Sequence, residues 1–155
     1  MKLLVVAATK AELGKVFEHF NLPDENFIQQ DKFDIIITHS MGIISALNYC
    51  FENKINPKLI VAMDPPDISN QAIKLRYNDM NENFKKIYDI FLNSSIDITN
   101  YNIHNIRNAK NSEYIDNSLY KQIYFYNKDT HYPYHIKEIR DRIVEAVKTC
   151  ADHKN

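Results

Sequence analysis

Phe33-Asp34-Ile35-Ile36-Ile37-Thr38-His39-Ser40-Met41-Gly42-Ile43-Ile44-Ser45-Ala46-Leu47-Asn48-Tyr49 is the stretch on which the fold turns. Three consecutive isoleucines form a β-branched run that reads as a buried strand, and the spacing of Ile43, Ile44, Ala46 and Leu47 reads as a helix laid on a sheet. Ser40 then stands on the bend between them. A strand that turns straight into a helix is crowded two residues either side of its apex, and Thr38 and Gly42 occupy those places. The start of the helix offers backbone N–H groups and a positive dipole end beside the Ser40 oxygen, where an anion would be stabilised.

Outward from this stretch the chain keeps one rhythm. Leu3 to Ala8 is an apolar run too short for a helix and is expected to be a central parallel strand. Thr9 with Glu12 three residues on forms a capping-box pattern, so a helix is expected from there to about Asn21, stopped by Pro23. Phe27 to Gln30 is expected to be a short edge strand. The elbow strand runs from Phe33 to Thr38 and its helix from Met41 to about Glu52, broken by Asn56-Pro57. Leu59 to Met63 is another buried strand, ended by Asp64-Pro65-Pro66-Asp67 because proline cannot continue an interior ladder. From Ile68 to Asn93 the pattern is helical, with Met80, Phe84, Ile87, Tyr88 and Phe91 on one stripe. Tyr101 to Ile106 alternates like a strand, Ser112 to Tyr120 reads as a short helix and Gln122 to Tyr126 as the last strand. Ile136, Ile139, Ile143, Val144 and Val147 mark a C-terminal helix with Pro133 near its start.

The fold class is therefore α/β: one domain over residues 1–155, a mostly parallel sheet of about five to six strands with helices on both faces. In such sheets ligands bind outside the carboxyl ends of the strands. Thr9, Ser40, Asp64, Arg107 and His131 are all expected just after strands, on that rim.

Composition narrows the partners. The net charge of -1 over 155 residues gives no reason to expect nucleic acid or an anionic membrane surface, and no apolar run has the length of a membrane span. Cys50 and Cys150, at the ends of helices, provide neither a metal-ligand spacing nor a disulfide framework, so no cofactor or metal is expected. A reducing, cytoplasmic setting is the simpler expectation, since the apolar start is short and Lys10 and Glu12 follow it at once.

Thr38-His39-Ser40-Met41-Gly42 resembles the nucleophile elbow of the α/β-hydrolase superfamily, G-x-S-x-G, with threonine in place of the first glycine. The resemblance runs from the elbow to the C-terminal helix, in a chain shorter than the family's usual length and without its first strands. It implies a compact, truncated hydrolase fold and a serine hydrolase that cleaves an ester, thioester or amide of a small acyl substrate through an acyl-enzyme. In that setting Ser40 is the nucleophile. A serine hydroxyl needs a base to take its proton, and among six histidines His131, after the last strand and before the last helix, has the place and chain order of the family's base, with His135 as rival.

The acid is open among three residues. Val61-Ala62-Met63-Asp64-Pro65-Pro66 resembles the segment from which the pancreatic-lipase group draws its acid, one strand after the elbow, and favours Asp64; Glu113 and Asp116 follow the strand that usually carries it. The family's oxyanion hole implies the Met41 N–H together with one from Thr9 or Lys10. Residues 68–98 match the place of a hydrolase lid. Two other functions stay in view. One is a catalytically inactive hydrolase-like binding module, supported by the missing acid in its usual place. The other is a nucleoside hydrolase, because Leu4-Val5-Val6-Ala7-Ala8-Thr9-Lys10-Ala11-Glu12 resembles the opening of enzymes of the futalosine and methylthioadenosine type; a chain with two glycines cannot easily build their later loops.

Overall fold

The computed structural model describes residues 3–6, 35–111, 117–130 and 132–152. The expected first helix and the edge strand at Phe27 lie outside the described residues, as do Thr9, Lys10, Glu113, Asp116 and His131. Among the described residues the strands are β1 (Leu3–Val6), β2 (Ile35–His39), β3 (Leu59–Met63), β4 (Ile103–Asn108) and β5 (Gln122–Tyr126). They pair in sequence order, β1-β2-β3-β4-β5, and every ladder is parallel. All strands thus end on one rim.

Apolar runs without alternation imply burial on both faces, and every residue of β2 and β3 is buried. On one face Ile36, Ile60, Ala62 and Ile103 pack with Ile43, Ile44 and Leu47 of α1 (Gly42–Glu52) and with Tyr88 and Phe91 from the 68–93 segment. On the other, Ile35, Ile37, Leu59, Val61, Met63 and Ile106 pack against Tyr134, Ile139 and Ile143. The expectation of a parallel sheet with helices on both faces is met.

Several boundaries depart from the sequence reading. The segment from Ile68 to Asn93 is α2 (Asn70–Arg76), a 3-10 turn (Tyr77–Asp79) and α3 (Glu82–Asn93), interrupted at Met80 and Asn81. Asn81 has extended backbone, and its side chain accepts the Phe84 N–H at 2.9 Å, so it starts a new helix where the apolar stripe alone implied continuity. The fourth strand begins at Ile103 instead of Tyr101, because Tyr101 closes a 3-10 turn by donating its N–H to the Ile98 carbonyl. It extends to Asn108, which places Arg107 inside the strand and 4 % exposed instead of beyond its end. At the C-terminus Pro133 opens a separate 3-10 turn (Pro133–His135), and α4 (Lys137–Asp152) follows.

Among the described residues, four other than glycine have left-handed backbone: Ser40, Lys54, Asp64 and Ser95. Lys54 and Ser95 follow the ends of α1 and α3. Around Lys54 the Ile55 N–H reaches the Cys50 carbonyl at 2.8 Å, the helix-terminating pattern in which glycine is usual. Lys54→Gly is therefore expected to stabilise the fold by about 0.5–1 kcal/mol in chemical denaturation, since glycine adopts this conformation without the Cβ clash. A loss of stability would show that the Lys54 side chain contributes more than its backbone costs.

Cys50 is fully buried under α1, and burial pushes its thiol up from 9.0 to about 11. The unfolded chain then loses this proton at lower pH than the folded one. Stability is expected to fall as pH rises from about 9 through about 11, and Cys50→Ala to flatten that decline in urea titrations run across the interval.

Candidate active site

The elbow forms because β2 and α1 are both pinned while only two residues join them. Ser40 still belongs to the sheet at its amino side, its N–H donating to the Met63 carbonyl at 2.9 Å. In a parallel ladder the next bond back to the Ser40 carbonyl would come from the N–H of residue 65, and Pro65 has none. The chain leaves the sheet there. Ser40 takes φ 55, Met41 is already helical at φ -67 and ψ -9, and the Ile44 N–H closes the first turn on the Met41 carbonyl at 3.0 Å. A serine held left-handed costs of order 1–3 kcal/mol and persists only where its surroundings enforce it. Thr38, two residues before the apex, is fully buried and its hydroxyl donates to the Val61 carbonyl at 3.1 Å, so a side chain larger than glycine leaves no polar group unmet there.

Asp64 is the same event one strand over. Its N–H donates to the Ile106 carbonyl at 2.6 Å, and the parallel pattern then calls for the Asn108 N–H to reach the Asp64 carbonyl. Asp64 instead turns left-handed at φ 49, and its side-chain Oδ1 accepts the Asn108 N–H at 3.2 Å. The carboxylate thus replaces a backbone acceptor and fixes itself at the rim. Tyr126 at the end of β5 feels the same carboxylate: burial first, then the Asp64 charge, pushes its phenol well above its ordinary value. Burial lowers the Arg107 guanidinium, while Tyr120, Asp64 and Asp67 pull it the other way.

Position 131 lies outside the described residues, but both of its chain neighbours lie at this rim. The Thr130 carbonyl accepts the Tyr126 hydroxyl at 3.0 Å and the Asn108 Nδ2 at 3.3 Å, and the Thr130 Oγ1 accepts the Tyr132 N–H at 3.0 Å. Tyr132 stacks on His39, the residue before Ser40, with ring centroids 5.5 Å apart, and Tyr134 meets the same imidazole edge-on at 5.4 Å. His39 is fully buried on the α4 face, pointing away from the elbow helix. His135 belongs to the 3-10 turn, its ring 4.7 Å from that of Tyr134.

Ser40, Met41 and Asp64 therefore come together at the ends of neighbouring central strands. Arg107, Asn108 and Tyr126 join them from β4 and β5. The expected lid region is in part a packing layer: Tyr88 and Phe91 of α3 are buried, and the Asn48 amide of α1 donates to the Ile87 carbonyl at 3.0 Å. Arg76 of α2 is tied to the rim loop through the Asp67 carbonyl at 2.6 Å. Among the described residues no group of three His, Cys, Asp or Glu side chains is placed to hold a metal ion, and no helix is long and apolar enough to cross a membrane.

The sequence reading passed over Asn108 and Tyr126, and with reason: one stands in a polar stretch searched only for an acid, the other in an apparently ordinary edge strand. Their signal was positional, since both are the last residue of a parallel strand. Comparison of the chain with protein-family models, with curated proteins and with solved structures gives no match.

Proposed function

We propose that the protein is a compact serine hydrolase of the α/β-hydrolase type, with Ser40 as nucleophile, His131 as base and Asp64 as the acid that orients it. The observation that carries this reading is the left-handed Ser40 at the apex where β2 turns within two residues into α1, the setting that the nucleophile-elbow motif requires. Ser40 Oγ attacks the substrate carbonyl carbon while its proton passes to His131. That proton then leaves with the departing alcohol, thiol or amine. Water attacks the acyl-enzyme, the carboxylic acid departs and Ser40 regains its proton. The developing oxyanion faces the start of α1, where the Met41 N–H is one donor, and Thr9 is the second by its place after β1.

Asp64 suits its role because it lies one residue past β3 and is linked through Asn108, whose N–H it accepts and whose amide donates to the Thr130 carbonyl, to the residue that precedes His131. The same bonds favour the second reading, a hydrolase-like binding protein in which the Asp64 carboxylate serves the sheet alone. Stopped-flow hydrolysis of p-nitrophenyl esters of increasing acyl length separates the two. An enzyme releases a burst of p-nitrophenol close to one equivalent of protein when deacylation limits, and turns over at some acyl length. Rates equal to buffer at every length would leave the binding protein.

A further inference from the structure

Asn108 and Tyr126 offer no reacting atom, yet they make an unusual share of the rim's hydrogen bonds. The Asn108 Nδ2 donates to two carbonyls, Lys128 at 2.7 Å and Thr130 at 3.3 Å, while its Oδ1 accepts the Lys110 N–H at 3.1 Å. Its backbone N–H binds Asp64, as described above. Tyr126 adds the second bond to the Thr130 carbonyl. Both side chains are buried, 4 % and 6 % exposed, so these bonds form out of water, where losing one leaves a carbonyl unmet.

We infer that Asn108 and Tyr126 are positioning residues for the base: they hold the 128–130 segment, which leads into His131 in the chain, in fixed register with Asp64. This rests on the serine-hydrolase reading. The residue type supports it. Two carbonyls facing one side chain require a donor, and of the two isosteric side chains only asparagine has one; aspartate is an acceptor alone when ionised. Hydrolases of this type usually keep their acid in the loop after this strand; here its last residue is an amide that grips the loop of the base instead. Without the grip, 128–130 is irregular chain after an edge strand, free to place the following residue in many ways. A displacement of about 1 Å in a catalytic group can lower turnover about a hundredfold.

Tyr126→Phe keeps the ring and removes one hydroxyl, while Asn108→Asp keeps the shape and removes the two donors. Lys110→Ala, on the exposed pair with Asp129 at 2.7 Å, is the control from the same loop. Each is compared with wild type for fluorophosphonate labelling rate and ester turnover, well below its melting temperature. The expected result is a loss of roughly tenfold or more in kcat and in labelling rate for Tyr126→Phe, with KM changed little. Asn108→Asp is expected to lose more, and Lys110→Ala to match wild type. The acidic limb of the pH profile should also move to lower pH in Tyr126→Phe, because an imidazole displaced from a carboxylate loses the charge that favours its protonated form. A purely structural role would lower the melting temperature and leave kcat and the pH profile alone; that outcome overturns the inference. Should Asn108→Asp fail to fold, Tyr126→Phe decides by itself. A wild type that neither labels nor turns over overturns the hydrolase reading first, and the inference with it.

Discussion

Ser40→Ala is expected to abolish acyl-enzyme formation and to lower ester turnover by about 10⁴-fold or more, while leaving stability within about 1 kcal/mol of wild type. The loss follows from chemistry, since no other atom at the apex between β2 and α1 can form the acyl bond. The small stability change follows from the fold: the Ser40 N–H bond to the Met63 carbonyl belongs to the backbone and survives the substitution. Ser40→Gly sharpens the argument. Glycine adopts φ 55 without the clash that a Cβ brings, so it should raise stability by about 1 kcal/mol and be equally inactive. A variant both more stable and dead marks strain kept for function. If Ser40→Gly were destabilised, or Ser40→Ala kept the wild-type rate, the apex would be only a turn.

Asp64→Asn is expected to reduce turnover by about 10² to 10⁴-fold, and far more than Asp116→Asn. Asparagine tolerates left-handed backbone, and its Oδ1 can still accept the Asn108 N–H, so the end of β3 should stay joined to β4. What disappears is the negative charge that, in the proposed triad, holds the base in its tautomer and stabilises it when protonated. Kinetics of the two variants beside chemical denaturation separate charge from scaffold. Small, equal effects on turnover would leave Ser40 and His131 as a dyad or turn the search to Glu113; unfolding of Asp64→Asn with normal specific activity would assign the carboxylate to the sheet.

The strands and the elbow were legible because buried parallel strands have an all-apolar signature and because a serine between two periodicities, with glycine two residues on, has few alternatives. The limits of β5, Gln122 to Tyr126, follow the sequence pattern residue for residue. Misreadings came where polar side chains overrule periodicity. Asn81 caps a helix inside an apolar stripe, and the 3-10 turn at Ile98–Asn100 delays β4 by two residues. The rim was legible only in part. Ser40 and Asp64 follow from motif and strand order, but no periodicity reveals that Asp64 supplies its carboxylate where a backbone carbonyl would stand. Nor does it reveal that the Asn108 amide faces two carbonyls of a loop twenty residues on. Those facts depend on the register of β3 against β4 and β5, which is set by pairing between distant segments.

The most direct test of the central claim is intact-mass analysis of the protein after reaction with a fluorophosphonate, followed by peptide mapping. The account predicts a single adduct, at Ser40, formed more slowly at acidic pH as the base becomes protonated and absent from protein unfolded in urea. No adduct, or one on another residue that persists after unfolding, would contradict it.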